Sequence, residues 1–373
     1  MENKAFRPKG SVAVMTEPGK LTFEHYELPE PGQGAILAKV IRTNICGSEL
    51  HIWKGKHPTK KSGVMGHEMV GRIERLGPGV ETDSAGEPIG LGDRVVAAYF
   101  LTCRKCQFCQ QGQFALCANA YAYWVKDAAE APHFHGSFAT HYYIHPDQYV
   151  YKVPDNVPDT AAASVNCALT QVYYGLVKGG LRYGETVVLQ GAGGLGLNAA
   201  AVAKEFGATV IVLDAVASRL DKAKQFGADH VIDIRQVDTP AKRIEAIRDW
   251  TGGRFADLAL ELSGVPDAFS EGIHYIRPGG RYVSIGNVSP GATTLFDPGL
   301  LTRKAIQIIP IIRYEPWYLH KALQFLSANM EKYPFADMLD AHFCLEDIGE
   351  ALDKSANREV TRASIIPGDV QDA

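Results

Sequence analysis

Residues 186–196 read TVVLQGAGGLG. A β-branched apolar run, too short for a helix, breaks into glycines at Gly191, Gly193, Gly194 and Gly196, matching G-x-G-x-x-G with one extra glycine. LNAAAVAKEFG follows, an alanine-rich helix closed by Gly207. Strand, tight turn and helix in that order let backbone N–H groups approach a pyrophosphate at the helix N-terminus, which predicts a dinucleotide site. The next strand, TVIVLD, ends at Asp214, whose carboxylate is placed to accept hydrogen bonds from ribose hydroxyls and to repel a 2′-phosphate. NAD is thereby favoured over NADP. Arg219, one helical turn further, either reaches the adenosine side, which leaves some NADP use open, or is a solvent-facing helix charge.

The alternation continues outward through ADHVID, a helix around Lys242 to Trp250, the strand FADLALELSG, a helix around Ala268 to Ile276, and GRYVSIG. This pattern predicts an α/β, Rossmann-type doubly wound domain over residues 167–311, with a mostly parallel sheet covered on both faces. Residues 1–166 are instead broken by glycine and proline into short apolar runs such as AILAKVIR, MVGRIERLG and DRVVAAY, which predict a β-rich domain. Residues 312–373 hold one amphipathic helix, Trp317 to Met330, the strand AHFCLE and the small helix IGEALDKSA. That is too little for a core of its own, and the segment is expected to rejoin the first domain.

The 373 residues are 46% hydrophobic and 21% charged, which excludes a disordered or collagen-like product. With 38 lysines and arginines against 42 acidic residues, a formal net charge of −4 favours neither nucleic acid nor an anionic membrane as partner. The opening MENKAFRPKG lacks a signal-peptide core, and no uninterrupted apolar stretch is long enough to span a bilayer, so the expected location is cytoplasmic.

Four of the seven cysteines crowd into CRKCQFCQQGQFALC. Cys103, Cys106, Cys109 and Cys117 are spaced C-x2-C-x2-C-x7-C, so that short loops fold four thiolates around one tetrahedral ion. Closed coordination leaves no place for substrate, so a zinc here would organise the lobe 100–120; an iron–sulfur cluster or free thiols are the alternatives. Cys46 in NICGSELH, His67 and Glu68 in VMGHEMVG, and Cys167 in SVNCALT are the right types for a second metal, but far apart. Spacing alone leaves open that they are a small buried cysteine and a turn histidine.

Taken together, a β-rich part with that cysteine lobe, a dinucleotide-binding domain and a short return segment resemble the zinc-containing medium-chain alcohol dehydrogenases over nearly the whole chain. The resemblance implies a GroES-like fold for the β-rich part and two Zn2+ per chain: a structural one on the four cysteines and a catalytic one on Cys46, His67 and Cys167. Polyol dehydrogenases look different at the third position, carrying glutamate, so polyols become less favoured substrates. Glu68 is implied as an accessory carboxylate, Ser48 as the group touching the substrate oxygen, and His51 as the outer end of a proton relay. The backbone around Gly286 to Val288 and the side chain of Thr170 are implied on either side of the nicotinamide, and Tyr99 in the substrate channel. Hydride would pass between NAD and an alcohol/carbonyl pair in a homodimer or homotetramer. A threonine- or polyol-type dehydrogenase, or a non-catalytic NAD-binding protein on the same scaffold, are the competing readings.

One departure from the pattern is NAYAYWVKDAAEAPHFHG, residues 119–136, rich in aromatic residues and histidine. We expect Phe134 or His135, with Tyr99, to shape a pocket for a bulky, cyclic or aromatic secondary alcohol; the alternative is subunit contact or ordinary surface packing.

Overall fold

The computed structural model describes residues 8–60, 62–288, 290–360 and 362–368. The chain forms two compact units: Met1–Cys167 with Leu319–Met330 and Phe335–Ala373, and Ala168–Tyr318 with Glu331–Pro334. Cys167 thus belongs to the first unit, one residue past the expected boundary, and residues 312–318 and 331–334 belong to the second. Among the described residues no helix is long and apolar enough to cross a membrane.

The first unit is built from short strands: β1 (Lys9–Glu17), β2 (Lys20–Glu27), β3 (Ile36–Asn44), β4 (Gly63–Val64), β5 (Glu68–Leu76), β6 (Arg94–Ala97), β7 (His141–Ile144) and β8 (Val150–Lys152). β2, β1 and β4 form a small sheet. The larger one runs β3, β5, β6, β8, with Ala363–Ile366 and then Ala341–Cys344 added on the other side of β3, and β7 pairing the start of β3. β3 alternates inward residues such as Ile36, Ala38 and Val40, which join Met69, Ile73 and Val95 in one core cluster. The antiparallel register Asn44↔Glu68, with Ser364↔Asn44 on the other side, gathers at one sheet end the residues just before Cys46, just after His67, and near the chain terminus.

The second unit is a six-stranded parallel sheet: β9 (Thr186–Gln190), β10 (Thr209–Asp214), β11 (His230–Asp233), β12 (Ala256–Glu261), β13 (Ile276–Ser284) and β14 (Gln307–Pro310), in the order β11-β10-β9-β12-β13-β14. The central strands are buried on both faces, as their unbroken apolar runs demand. Thr239 caps the helix Pro240–Trp250 by accepting from the Lys242 N–H, with Pro240 at the first helical position. The helix expected to reach Ile276 ends earlier, at Gly272, followed by a 3-10 turn, Ile273–Tyr275. Gly272 sits so close to Gln190 and Tyr282 that a Cβ there would come within 2.3 Å and 2.5 Å of them, so the helix end is pressed onto the sheet and Ile276 opens β13. β14, an edge strand, carries too little alternation to be read from sequence.

Candidate active site and metal centres

Cys46, His67, Glu68 and Cys167 converge, with one ligand atom from each lying within 4.8 Å of all the others. Cys46 ends the loop after β3 and opens the helix Gly47–Trp53, which carries Ser48 and His51. His67 immediately precedes β5 and Glu68 begins it. Cys167 lies in a π-helical turn, Val165–Leu169, a distortion that re-aims side chains and recurs at functional sites. The Cys46 and Cys167 sulfurs are 3.8 Å apart, and His67 Nε2 is 3.3 Å from the Cys167 sulfur.

Three supporting groups of the cluster, and one buried lysine apart from it, were not anticipated. Glu49 is completely buried; one of its oxygens meets His67 Nδ1 and the other accepts from the Cys46 N–H at 2.7 Å. A carboxylate on Nδ1 leaves Nε2 facing the cluster, the arrangement that orients a metal-binding imidazole. Its signal was present in the sequence, a C-x-x-E spacing like that of a capping box. Arg362, buried, pairs with one oxygen of Glu68, while the other oxygen, Oε1, is buried with no partner among the described residues. Asn166 donates to the carbonyls of His67 at 2.8 Å and Ala97 at 2.9 Å. Lys60, buried, donates to the carbonyl of Trp124 and lies 5.0 Å from its ring centroid; burial draws its pKa down to about 8.

The electrostatics fit a divalent cation. The hydrogen bond from Cys167 holds the Cys46 thiol well below its ordinary pKa despite burial, while Cys167 is correspondingly raised. Burial opposes charge on His67, yet Glu49 and Cys46 hold its pKa well above the ordinary value. Burial lifts Glu68 to about 7 against the pull of Arg362. Two soft sulfurs, one oriented imidazole and one unpartnered carboxylate oxygen are a donor set suited to zinc, and metal binding there displaces protons.

Cys103, Cys106, Cys109 and Cys117 form a second convergent set, again within 4.8 Å. Backbone N–H groups of Cys103 and Cys106 point at the sulfurs of Cys117 and Cys103, both at 3.4 Å. The Asn119 side chain, with the N–H groups of Lys105 and Cys106, draws the Cys103 thiol down to about 6. Four thiols, with no fifth Cys, His, Asp or Glu donor joining them among the described residues, fit a closed tetrahedral site.

In the second unit the glycine turn links β9 to the helix Gly194–Glu205. Gly191 has φ +113°, and a Cβ on Gly196 would lie 1.9 Å from the Gly191 carbonyl oxygen, so neither position admits a side chain. Asp214 accepts from the Ala192 N–H at 2.7 Å and the Val216 N–H at 2.9 Å, tying the turn to the end of β10. Arg219 is half-buried on the following helix, Thr170 is completely buried, Gly286 is half-buried and Val288 is exposed beyond β13.

Tyr99 packs edge-on to His67, ring centroids 5.1 Å apart. Phe134 and His135 do not join it. Phe134 is completely buried in a cluster with Val12, Leu37, Val64 and Tyr143, and His135 is buried with Nε2 bonded to the Glu130 carbonyl. Neither lines the cavity of about 710 Å³ among Tyr123, Pro132, His133 and His145 beside them. In the segment expected to shape a substrate pocket, packing within the first unit takes up both side chains. Other aromatics of the same segment come into play instead, since Trp124 contacts both Tyr121 and His57, with centroids at 5.4 Å and 5.7 Å, and packs on the cluster holding Ile52 and Trp53 of the Ser48 helix.

Comparison with known proteins agrees with this geometry. Residues 32–155 match the alcohol dehydrogenase GroES-like domain and residues 194–328 the zinc-binding dehydrogenase domain. The chain is 33% identical to 5-exo-hydroxycamphor dehydrogenase of Pseudomonas putida, over 91% of this chain and 94% of that protein. It is also 33% identical to L-threonine 3-dehydrogenase of Pyrococcus horikoshii, over 91% and 96%. The solved structure of an alcohol dehydrogenase from Thermotoga maritima superposes with a TM-score of 0.91 at 28% identity, covering 97% of this chain and all of that one. The chain belongs to the zinc-containing medium-chain alcohol dehydrogenase family. It is an oxidoreductase that works with zinc and a nicotinamide dinucleotide.

Proposed function

We propose that the protein is an NAD-preferring dehydrogenase of bulky, cyclic or aromatic secondary alcohols. The observation that carries this reading is the convergence of Cys46, His67, Glu68 and Cys167 with Tyr99 set against His67. Cys46, His67 and Cys167 would hold a zinc ion, whose Lewis acidity favours the ionised form of an alcohol at neutral pH. Ser48 receives the alcohol's proton and His51 passes it outward; Glu68 stands by as an accessory carboxylate. A bound nicotinamide would supply the hydride acceptor or donor, so the chain's own task is placement of the substrate and exclusion of water. Asp214 at the end of β10 supports NAD over NADP. The aromatic group Tyr121, Trp124 and His57, and a relative named for 5-exo-hydroxycamphor, support a bulky alcohol. The threonine dehydrogenase relative favours a second reading, an amino-alcohol substrate. Exposed Leu295, Phe296 and Ile308, near or on the edge strand β14, support a homodimer or homotetramer.

An absorbance assay for NADH across linear, cyclic and aromatic alcohols and L-threonine, with NAD and NADP in parallel and zinc quantified, tests the reading. Turnover of cyclic or aromatic secondary alcohols with NAD well above that of ethanol is expected; equal turnover of ethanol and a bulky alcohol overturns the substrate assignment.

The proton path makes its own prediction. Burial, with Lys56 and Lys54 nearby, lowers the His51 pKa, so the ring stays neutral and able to accept a proton below its ordinary value of about 6.5. Replacing both lysines with glutamine raises the His51 pKa, and the acid limb of kcat/KM for alcohol oxidation should move to higher pH. A pH–rate profile that does not move removes His51 from the path.

A further inference from the structure

Glu261, the last residue of β12, is completely buried. Its Oε1 accepts from the backbone N–H groups of Ser263 and Gly264, both at 2.7 Å, and from the Ser263 hydroxyl at 2.9 Å. Its Oε2 accepts from the Asn287 N–H at 3.0 Å and the Asn287 side-chain amide at 2.8 Å. The Glu261 carbonyl in turn accepts from Ile285 and Gly286. One residue therefore binds the loop after β12 to the loop after β13. The two loops touch: a Cβ on Gly286 would lie 2.6 Å from the Gly264 nitrogen and 2.8 Å from Glu261 Oε1. All five donors to the carboxylate are uncharged, so the positions of both loops are fixed by hydrogen bonds to one side chain.

In an open parallel sheet of this strand order a dinucleotide lies across the carboxyl ends of the strands, one mononucleotide on each half. The glycine turn after β9 and Asp214 at the end of β10 mark β11-β10-β9 for the adenosine half. The ends of β12 and β13 are left for the other half. We propose that Glu261 is a positioning residue for the nicotinamide half of NAD, its carboxylate setting the loops after β12 and β13 against which that half rests. The proposal rests on the NAD-binding reading above.

The test measures binding by calorimetry on zinc-loaded protein, with NAD and ADP-ribose as ligands, for wild type, Glu261→Gln and Asn287→Ala. Glutamine keeps the shape of Glu261 but places an N–H2 where one set of donors points. NAD affinity should fall about tenfold or more, the weight of lost hydrogen bonds to a charged acceptor, while ADP-ribose affinity changes less than about twofold. Asn287→Ala keeps the carboxylate, removes one of its five bonds, and should give a smaller loss of the same selectivity at near wild-type melting temperature. Equal weakening of both ligands, or unchanged NAD binding in folded Glu261→Gln, overturns the proposal. Should Glu261→Gln not fold, Asn287→Ala decides: selective loss of NAD supports the proposal and its absence overturns it. A wild-type protein that binds neither ligand overturns the cofactor reading itself, and the proposal with it.

Discussion

Cys46→Ser is expected to remove about one zinc ion per chain and to lower kcat/KM for alcohol oxidation by roughly 10³-fold or more, the scale of several kcal/mol of lost Lewis-acid stabilisation. The Cys46 sulfur is drawn toward the thiolate by its hydrogen bond with Cys167 and the nearby His67. A serine hydroxyl does not ionise under the same influences and is a poorer ligand for zinc. The fold should persist, because the helix Gly47–Trp53 keeps its seat through Ile52 and Trp53 in the core and Glu49 still accepts from the residue 46 N–H. Metal analysis, circular dichroism and steady-state kinetics on one preparation check all three parts. Full activity with two zinc ions retained would show that Cys46 is not a ligand.

Cys103→Ser should act in the opposite way, harming stability more than the chemistry. Between Cys103 and Ala120 the lobe has almost no apolar core: only the small side chains of Cys109, Ala115, Cys117 and Ala120 are buried, and Leu116 is exposed. Four thiolates on one ion must supply what apolar burial does not, so loss of a ligand costs folding free energy directly. A fall in melting temperature of roughly 5–10 °C is expected, with zinc again reduced to about one per chain. Molecules that retain the other zinc should keep near-normal KM. A variant as stable as wild type would remove the structural assignment, and one that is stable but inactive would exchange the roles proposed for the two sites.

These two sites were unequally legible. The four-cysteine lobe lies within fifteen residues, and its spacing alone specifies a tetrahedral thiol set. Cys46, His67 and Cys167 carried only residue type, and resemblance to a family had to join them. Glu49 was legible in principle, being a local helix-start carboxylate. Arg362 was not: 294 residues separate it from Glu68, and nothing in its neighbours marks it. Phe134 shows the converse case. An aromatic in an unusual segment reads equally well as pocket wall, subunit contact or surface packing, and the structure buries it beside Val12 and Leu37.

By itself the sequence determined what depends on a few adjacent residues: the glycine turn between β9 and its helix, the strand–helix rhythm that makes the sheet parallel, and the ligand set of the cysteine lobe. Backbone sterics and ligand spacing act over a single turn, so one stretch of chain suffices to reveal them. Tertiary structure alone decided which distant groups gather around Cys46, His67 and Cys167. That choice follows from strand register, Asn44 opposite Glu68 on one side and Ser364 on the other, and register is set by the fit of whole buried faces rather than by any local signal.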